Sequence, residues 1–188
     1  MTVSELHERH FHALETERLL LRPLAIEDVP DMFAYTSAPE SFQFLRRSFH
    51  TSEDEDRAFI QSVLEGYRQH REFVWGICFQ RKNRLIGSCR LFDLRPDEGC
   101  CEVSYLIHPT FQGRRIASES LHRMIRYAFE ELGLERVYAR CATANKASEQ
   151  VMRNCGMKQE RILPQYMELH GIWHNFLLCK IERGDIEV

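Results

Sequence analysis

Between Glu102 and Gly133 the hydrophobic period of this chain changes from that of a strand to that of a helix, across one short link. Glu102–Ile107 reads as a strand, with Glu102, Ser104 and Leu106 on one face of a two-residue period. Leu121, Met124, Ile125, Ala128, Phe129 and Leu132 then recur at helical spacing, and Gly133 stands where a helix ends. The link holds Pro109, Gly113 and the pair Arg114-Arg115. A strand that runs straight into the N-terminus of a long amphipathic helix needs a sheet with that helix packed on it.

The remaining elements agree. Leu19–Leu24, Phe73–Phe79, Leu85–Phe92, Arg136–Ala142, Lys158–Leu163 and Asn175–Ile181 read as strands. Ile26–Thr36 reads as a helix that tolerates Pro30 only in its first turn. Ala147–Asn154 is a short helix stopped by Gly156. Ser52-Glu53-Asp54-Glu55 resembles a capping box, opening a helix with Phe59, Ile60, Val63, Leu64 and Tyr67 on one face. Strands first, then helix, strand, helix and two strands, predict an α+β fold with mixed pairing. The 188 residues fit one domain without linker or repeat, so 1–188 is read as a single domain in which 1–15 is a polar, dispensable extension. His7, His10 and His12 in that extension have no partner at a recognised ligand spacing, and no metal is expected.

Composition narrows the function. With 44% hydrophobic residues the chain fills a sizeable core. Its 25 basic and 28 acidic residues give a net charge of −3, so no direct grip on nucleic acid is expected. No apolar run approaches the roughly 20 residues of a membrane helix, and Met1–Arg18 lacks the apolar stretch of a signal peptide. Seven cysteines, an odd number lying mostly inside apolar runs, suit buried thiols in a reducing compartment. A cytoplasmic protein, monomeric or homodimeric, is the expectation.

The link itself carries chemistry. Successive N–H groups at a strand–loop–helix junction suit a phosphate or pyrophosphate, and Arg114 and Arg115 add charge-assisted donors. Taken alone, one glycine and two arginines describe an ordinary connection equally well.

Other segments add to it. Gln112-Gly-Arg-Arg-Ile-Ala117 resembles the Q/R-x-x-G-x-G/A acyl-CoA loop of the GNAT N-acetyltransferases. Asn145-Lys-Ala-Ser-Glu-Gln-Val-Met-Arg-Asn-Cys-Gly-Met157 looks like the later N-x-A-S-x-x-V segment of that superfamily. Thr16-Glu-Arg-Leu-Leu-Leu-Arg-Pro23 and Leu85-Ile-Gly87 are similar to its opening and third strands. The opening segment and Tyr166–His174 look like the RimJ/RimL-like branch, whose members acetylate N-terminal amines of ribosomal proteins or act on small amines. The resemblance implies a central, mostly antiparallel mixed sheet of about seven strands, splayed between the fourth and fifth, with helices on both faces. It also implies acetyl-CoA as co-substrate. The pantetheine would lie along Tyr105, Leu106 and Ile107, with Asn145 on its arm. The pyrophosphate would sit on the loop formed by Gln112, Gly113, Arg114, Arg115, Ile116, Ala117 and Ser118.

Two positions depart from the family pattern. Arg115 replaces the loop's central glycine; it is expected to keep the ordinary helical conformation of a helix start and to bind phosphate itself. Met152 stands where many members have a tyrosine that protonates the departing thiolate, so Ser148, one turn earlier, is the expected catalytic acid. Glu102 lies near the place of a catalytic base in the histone-acetyltransferase branch, although a strand-entrance glutamate is also often a solvated edge residue. An amide near Leu106 or Ile107 is the expected oxyanion donor. Arg140 occupies the fifth-strand place where other members put a base.

Acceptor specificity is assigned to two loops, Ser37–His50 and Leu163–Trp173, with Phe44, Tyr166 and Trp173 as substrate contacts. An α-amine of pKa ~7.8 is about 14% neutral at pH 7, against about 0.04% for a lysine at ~10.4. That difference of about 3.5 kcal/mol makes an α-amine the easier acceptor. The expected activity is direct acetyl transfer from acetyl-CoA to a primary amine, foremost a protein N-terminus such as that of a ribosomal protein. Acetylation of a small amine or aminoglycoside, and a non-catalytic acyl-CoA sensor, are the alternatives.

Overall fold

The computed structural model describes residues 1–186. One eight-stranded sheet runs through it: β1 (Leu14–Glu15), β2 (Leu19–Arg22), β3 (Phe73–Phe79), β4 (Lys82–Arg95), β5 (Cys100–Ile107), β6 (Arg136–Ala142), β7 (Lys158–Leu169) and β8 (Ile172–Glu182). Its order is β1-β2-β3-β4-β5-β6-β8-β7. Five helices flank it: α1 (Val3–His10), α2 (Val29–Thr36), α3 (Glu53–Arg68), α4 (Ile116–Glu130) and α5 (Lys146–Asn154).

Every neighbouring pair is antiparallel except β5 and β6. Those two run parallel and meet only at Cys100↔Arg136, Cys101↔Val137 and Glu102↔Tyr138. Beyond Glu102, β5 stays with β4 as far as Gly87↔Ile107, while β6 follows β8 as far as Ala142↔Phe176. The sheet therefore splits into a wedge that opens from Val103 onward. The two-residue β1 adds a strand at the start, so the predicted splay falls between the fifth and sixth of eight strands, at the same residues.

Alternate residues of the strands face two cores. Phe73, Trp75, Ile77, Cys101, Val103 and Ile107 pack under α4, with Leu121, Met124, Ile125 and Ala128. On the other face Val74, Cys78 and Leu85 pack under α2 and α3, with Met32, Tyr35, Ile60 and Val63. The closeness of β4 to β5 depends on a glycine, since a Cβ on Gly87 would sit 2.5 Å from the Leu106 carbonyl oxygen.

Three expectations are corrected. The first fifteen residues are not a dispensable tail. Leu6 and Leu14 are buried, the Trp75 indole donates to the His12 carbonyl at 2.7 Å, and the Tyr127 hydroxyl donates to that of His10 at 2.9 Å. His7 stacks on Phe11 at 4.5 Å and meets Phe73 edge-on, so this histidine fills space among aromatics. Secondly, the Ser52 side chain makes no cap bond. The Glu55 carboxylate instead reaches back one residue further, to the N–H and hydroxyl of Thr51 at 2.8 and 2.9 Å. Thirdly, Leu163–Trp173 is not a loop. Strands β7 and β8 continue to Leu169 and Ile172 and are joined by His170-Gly171, both at positive φ, as a tight two-residue hairpin requires. The register break between Leu163 and Met167, which holds Pro164 and a left-handed Gln165, concealed this strand by interrupting its alternation, although Met167 and Leu169 pack inward beyond it.

Candidate active site

The wedge exposes a strand edge. In an antiparallel ladder alternate residues exchange both backbone bonds with the neighbour. The His108 N–H bonds the Ile86 carbonyl at 2.9 Å, in the same register as Ser88↔Leu106 and Arg90↔Ser104. Even-numbered residues of β5 are thus tied to β4, and Tyr105 and Ile107 turn their N–H and C=O groups to the wedge. Leu106 is thereby removed as an oxyanion donor, since its amide is committed to the ladder; its side chain lines the cleft instead. Gln112 folds back across the wedge, its amide donating to the Ile107 carbonyl at 3.1 Å.

The loop that follows is built of unpaired amides. Gly113 (φ 72°) and Arg115 (φ 63°) are both left-handed, so Arg115 holds the conformation that glycine ordinarily takes, contrary to the helical geometry expected of it. No side chain caps α4. Among the described residues the N–H groups of Gly113, Arg114, Arg115, Ile116, Ala117 and Ser118 have no protein acceptor. These groups, with the positive end of α4 behind them, form a ready anion seat. Arg114 stacks its guanidinium 5.5 Å above the Phe111 ring. The loop is anchored from behind: Glu119, in the first turn of α4, takes bonds from the Arg18 backbone and side chain at 3.1 and 2.7 Å, and Arg18 donates to the Arg114 carbonyl at 3.1 Å.

Across the wedge stands α5. The Asn145 side-chain oxygen caps it by accepting from the Ser148 N–H at 3.0 Å. Asn145 also lines the cleft, and its amide nitrogen has no protein partner among the described residues. The Ser148 hydroxyl lies 2.8 Å from the Tyr105 hydroxyl. Burial pushes the Tyr105 phenol up, against a smaller lowering by that hydrogen bond, so the phenol stays protonated at neutral pH. The phenol of Tyr105 is a residue that sequence reasoning missed, having assigned only its backbone. The signal was strand parity, which puts Tyr105 with Val103 and Ile107 under the helices, opposite Glu102. Met152 is fully buried in the main core, away from the cleft. Cys141, beside Ser148, is pushed up to about 11 by burial and is no nucleophile at neutral pH.

The opposite face of the wedge carries a buried ion pair. Glu102 is buried there, 6% exposed, and both its oxygens accept from Arg140, at 2.9 Å each from Nε and more closely from Nη2. The Tyr166 hydroxyl, brought over by a break in the β7 register between Leu163 and Met167, bonds the same guanidinium. Glu102 and Arg140, read separately in the sequence, are one ion pair at the apex of the wedge. Phe44 lines the cleft, whose volume is about 320 Å³, and packs near Phe176. Glu40, not singled out in the sequence, stands exposed on the same rim. Trp173 is not part of this assembly: it lies on the outer hairpin, 59% exposed, with no place in the cleft lining.

Comparisons with known proteins name a family for the chain. The acetyltransferase (GNAT) domain family matches residues 18–158. An uncharacterized N-acetyltransferase of Bacillus subtilis, YoaA, is 31% identical over 161 residues, covering 86% of this chain and 91% of its own. The ribosomal protein uS5-alanine N-acetyltransferase of Escherichia coli is 23% identical over 177 residues, covering 92% and 91%. The microcin C7 self-immunity acetyltransferase MccE, solved with acetyl-CoA and AMP, superposes with a TM-score of 0.81 at 15% identity over 89% of this chain and 93% of its own. No helix among the described residues is long and apolar enough to cross a membrane. The chain belongs to the GNAT family of acetyltransferases and is an acyl-CoA-dependent N-acetyltransferase.

Proposed function

We propose that the protein transfers acetyl from acetyl-CoA to the α-amine of a peptide or protein N-terminus. The observation that carries this reading is the Glu102–Arg140 pair. Both Glu102 oxygens already accept from Arg140, so this carboxylate is turned to the guanidinium and not to an incoming amine. An acceptor that is already partly neutral then fits, and a lysine side chain does not. A solvated carboxylate such as Glu40, working through water, suffices to take the proton. The relative that acts on the alanine of ribosomal protein uS5 supports the same class.

In this reading the amides of Gly113 to Ser118 take the pyrophosphate and the Asn145 amide nitrogen the pantetheine arm. The open-edge amides of Tyr105 and Ile107 orient the thioester and receive the developing oxyanion. The amine attacks the thioester carbon directly; the C–S bond breaks, and Ser148, held by Tyr105, protonates the leaving thiolate. The test is CoA release from acetyl-CoA with peptides carrying a free α-amine, peptides acetylated there but carrying lysine, and aminoglycosides. Turnover on the first set only is expected. Turnover confined to lysine or aminoglycosides would overturn the acceptor assignment, and tight acetyl-CoA binding without turnover on any amine would overturn the catalytic reading.

A further inference from the structure

One buried hydroxyl in the cleft is used neither by the fold nor by the transfer chemistry. Among the described residues the hydroxyls of Tyr35, Ser41 and Ser120 are buried and without a hydrogen-bond partner. Of these residues Ser41 is the one that lines the cleft of about 320 Å³ between the β5 edge, the turn at Gly113 to Ala117 and α5. Ser41 is only 7% exposed, and its backbone is already settled. In the short turn Pro39–Phe42 its N–H donates to the Ala38 carbonyl at 3.0 Å. A hydroxyl can both donate and accept. Left buried and unpaired it costs free energy, which a ligand group in the cleft would recover.

The segment that carries Ser41 is fixed in place. Phe42 is buried, and its carbonyl accepts from the Leu45 N–H at 2.9 Å and from His170 Nε2, at the tip of the β7–β8 hairpin, at 3.1 Å. Phe44 packs with Ala142, Leu169 and Phe176. Further on, the His50 N–H donates to the Thr36 carbonyl at 2.8 Å and its ring bonds the buried Asp56 at 2.9 Å, which ties the segment to α2 and α3. Segment 40–45 lines the same cleft as the open β5 edge at Tyr105 to Ile107. Its chemistry selects what lies between them. The segment holds a carboxylate and no cation, so it repels a pyrophosphate. The neutral polar Ser41 and Gln43, with the apolar Phe44 and Leu45, suit an uncharged chain of amides and methylenes.

We propose that segment 40–45 is a clamp on the coenzyme rather than a wall of the acceptor site, and that the Ser41 hydroxyl hydrogen-bonds an amide of the pantetheine arm. The inference rests on the coenzyme reading above and deepens it. An extended arm pairs one side with the β5 edge, as an added strand does, and lays the other against Ser41, Phe44 and Leu45. The phosphates stay with Arg115 and the turn amides, away from the Glu40 carboxylate. Residues 40–45 thereby leave the acceptor specificity assigned to Ser37–His50.

The test uses the full chain and calorimetric binding of CoA and of ADP, which carries the pyrophosphate without the arm. Ser41→Ala should weaken CoA about tenfold, the worth of one hydrogen bond, and leave ADP binding within about twofold. Ser41→Thr, which keeps the hydroxyl, should bind CoA within about threefold of the native chain. Because the hydroxyl has no partner in the free protein, removing it costs the fold nothing. The melting temperature of unliganded Ser41→Ala should equal or exceed the native value. In initial rates with an α-amino peptide, the acetyl-CoA KM should rise while the peptide KM stays within about twofold. Native CoA affinity in Ser41→Ala overturns the clamp and leaves the acetyltransferase standing. Equal weakening of CoA and ADP, or a rise confined to the peptide KM, does the same. A native chain that binds no CoA overturns the coenzyme reading itself.

Discussion

The two walls of the wedge are built from different materials. The wall proposed above to take the coenzyme is mainly backbone: the open edge of β5, the left-handed Gly113 and Arg115, and the first turn of α4. The wall proposed to take the acceptor is side chain, brought from β5, β6 and β7, and tied by the Glu102–Arg140 ion pair and Tyr166. Backbone donors need only the right turn at the right place, so a short motif specifies them. Side-chain walls need elements far apart in sequence to arrive together, and they are where relatives with one chemistry part in substrate.

The comparison is broken most directly at the one point where both walls meet the thioester. Ser148→Ala should lower kcat about a hundredfold or more, with little change in the acetyl-CoA KM. Unchanged turnover would remove the hydroxyl from proton transfer and leave Tyr105→Phe as the next variant to measure. On the acceptor wall, Glu102→Gln leaves Arg140 half-buried without its counter-charge. It should cost about 2 kcal/mol of unfolding free energy in urea. The loss of activity should be independent of pH; a loss concentrated at low pH would restore Glu102 as the base.

On the coenzyme wall, Arg115→Gly separates backbone from charge. Relief of left-handed strain, less the entropy of a glycine, should raise stability by about 0.5–1 kcal/mol while the acetyl-CoA KM rises. A lower melting temperature would contradict the strain argument. Behind the same loop, burial pushes the Glu119 carboxyl up, but bonds from Thr16 and Arg18 outweigh it and hold it below its ordinary 4.5. The stability it supplies is present above about pH 4.5 and is lost as pH falls through the lower folded value. Glu119→Gln should therefore remove about 0.5–1 kcal/mol at neutral pH and nothing in strong acid. Smallest of all, Trp173→Ala should leave acceptor KM within about twofold, because the exposed ring lies outside the cleft lining. A larger effect would return the outer hairpin to the substrate site.

Much of the fold was readable along the chain. Arg136–Ala142 is a strand to the residue, and Gly133 and Gly156, at φ 69° and 78°, end their helices where the periodicity stops. The turn of unpaired amides at Gly113–Ser118 was readable because its residues are consecutive. Less was readable where contacts are distant. The N-terminal residues have a polar pattern that hides Leu6 and Leu14, which become core only when β1 joins β2. The β7–β8 hairpin was misread as a loop because the register break between Leu163 and Met167 interrupts its alternation.

By itself, then, the sequence determined the order of elements from β2 onward, the phosphate-ready turn at Gln112–Ser118 and the serine at the start of α5. Each is written in neighbouring residues, where spacing alone carries the physics. Only the tertiary structure decided which amides of β5 face the wedge, since parity needs a partner register. It also decided that Glu102 is a partner of Arg140 and that Tyr105 meets Ser148. Those pairs join residues 38 and 43 positions apart, a range over which only the closed fold fixes distance and burial.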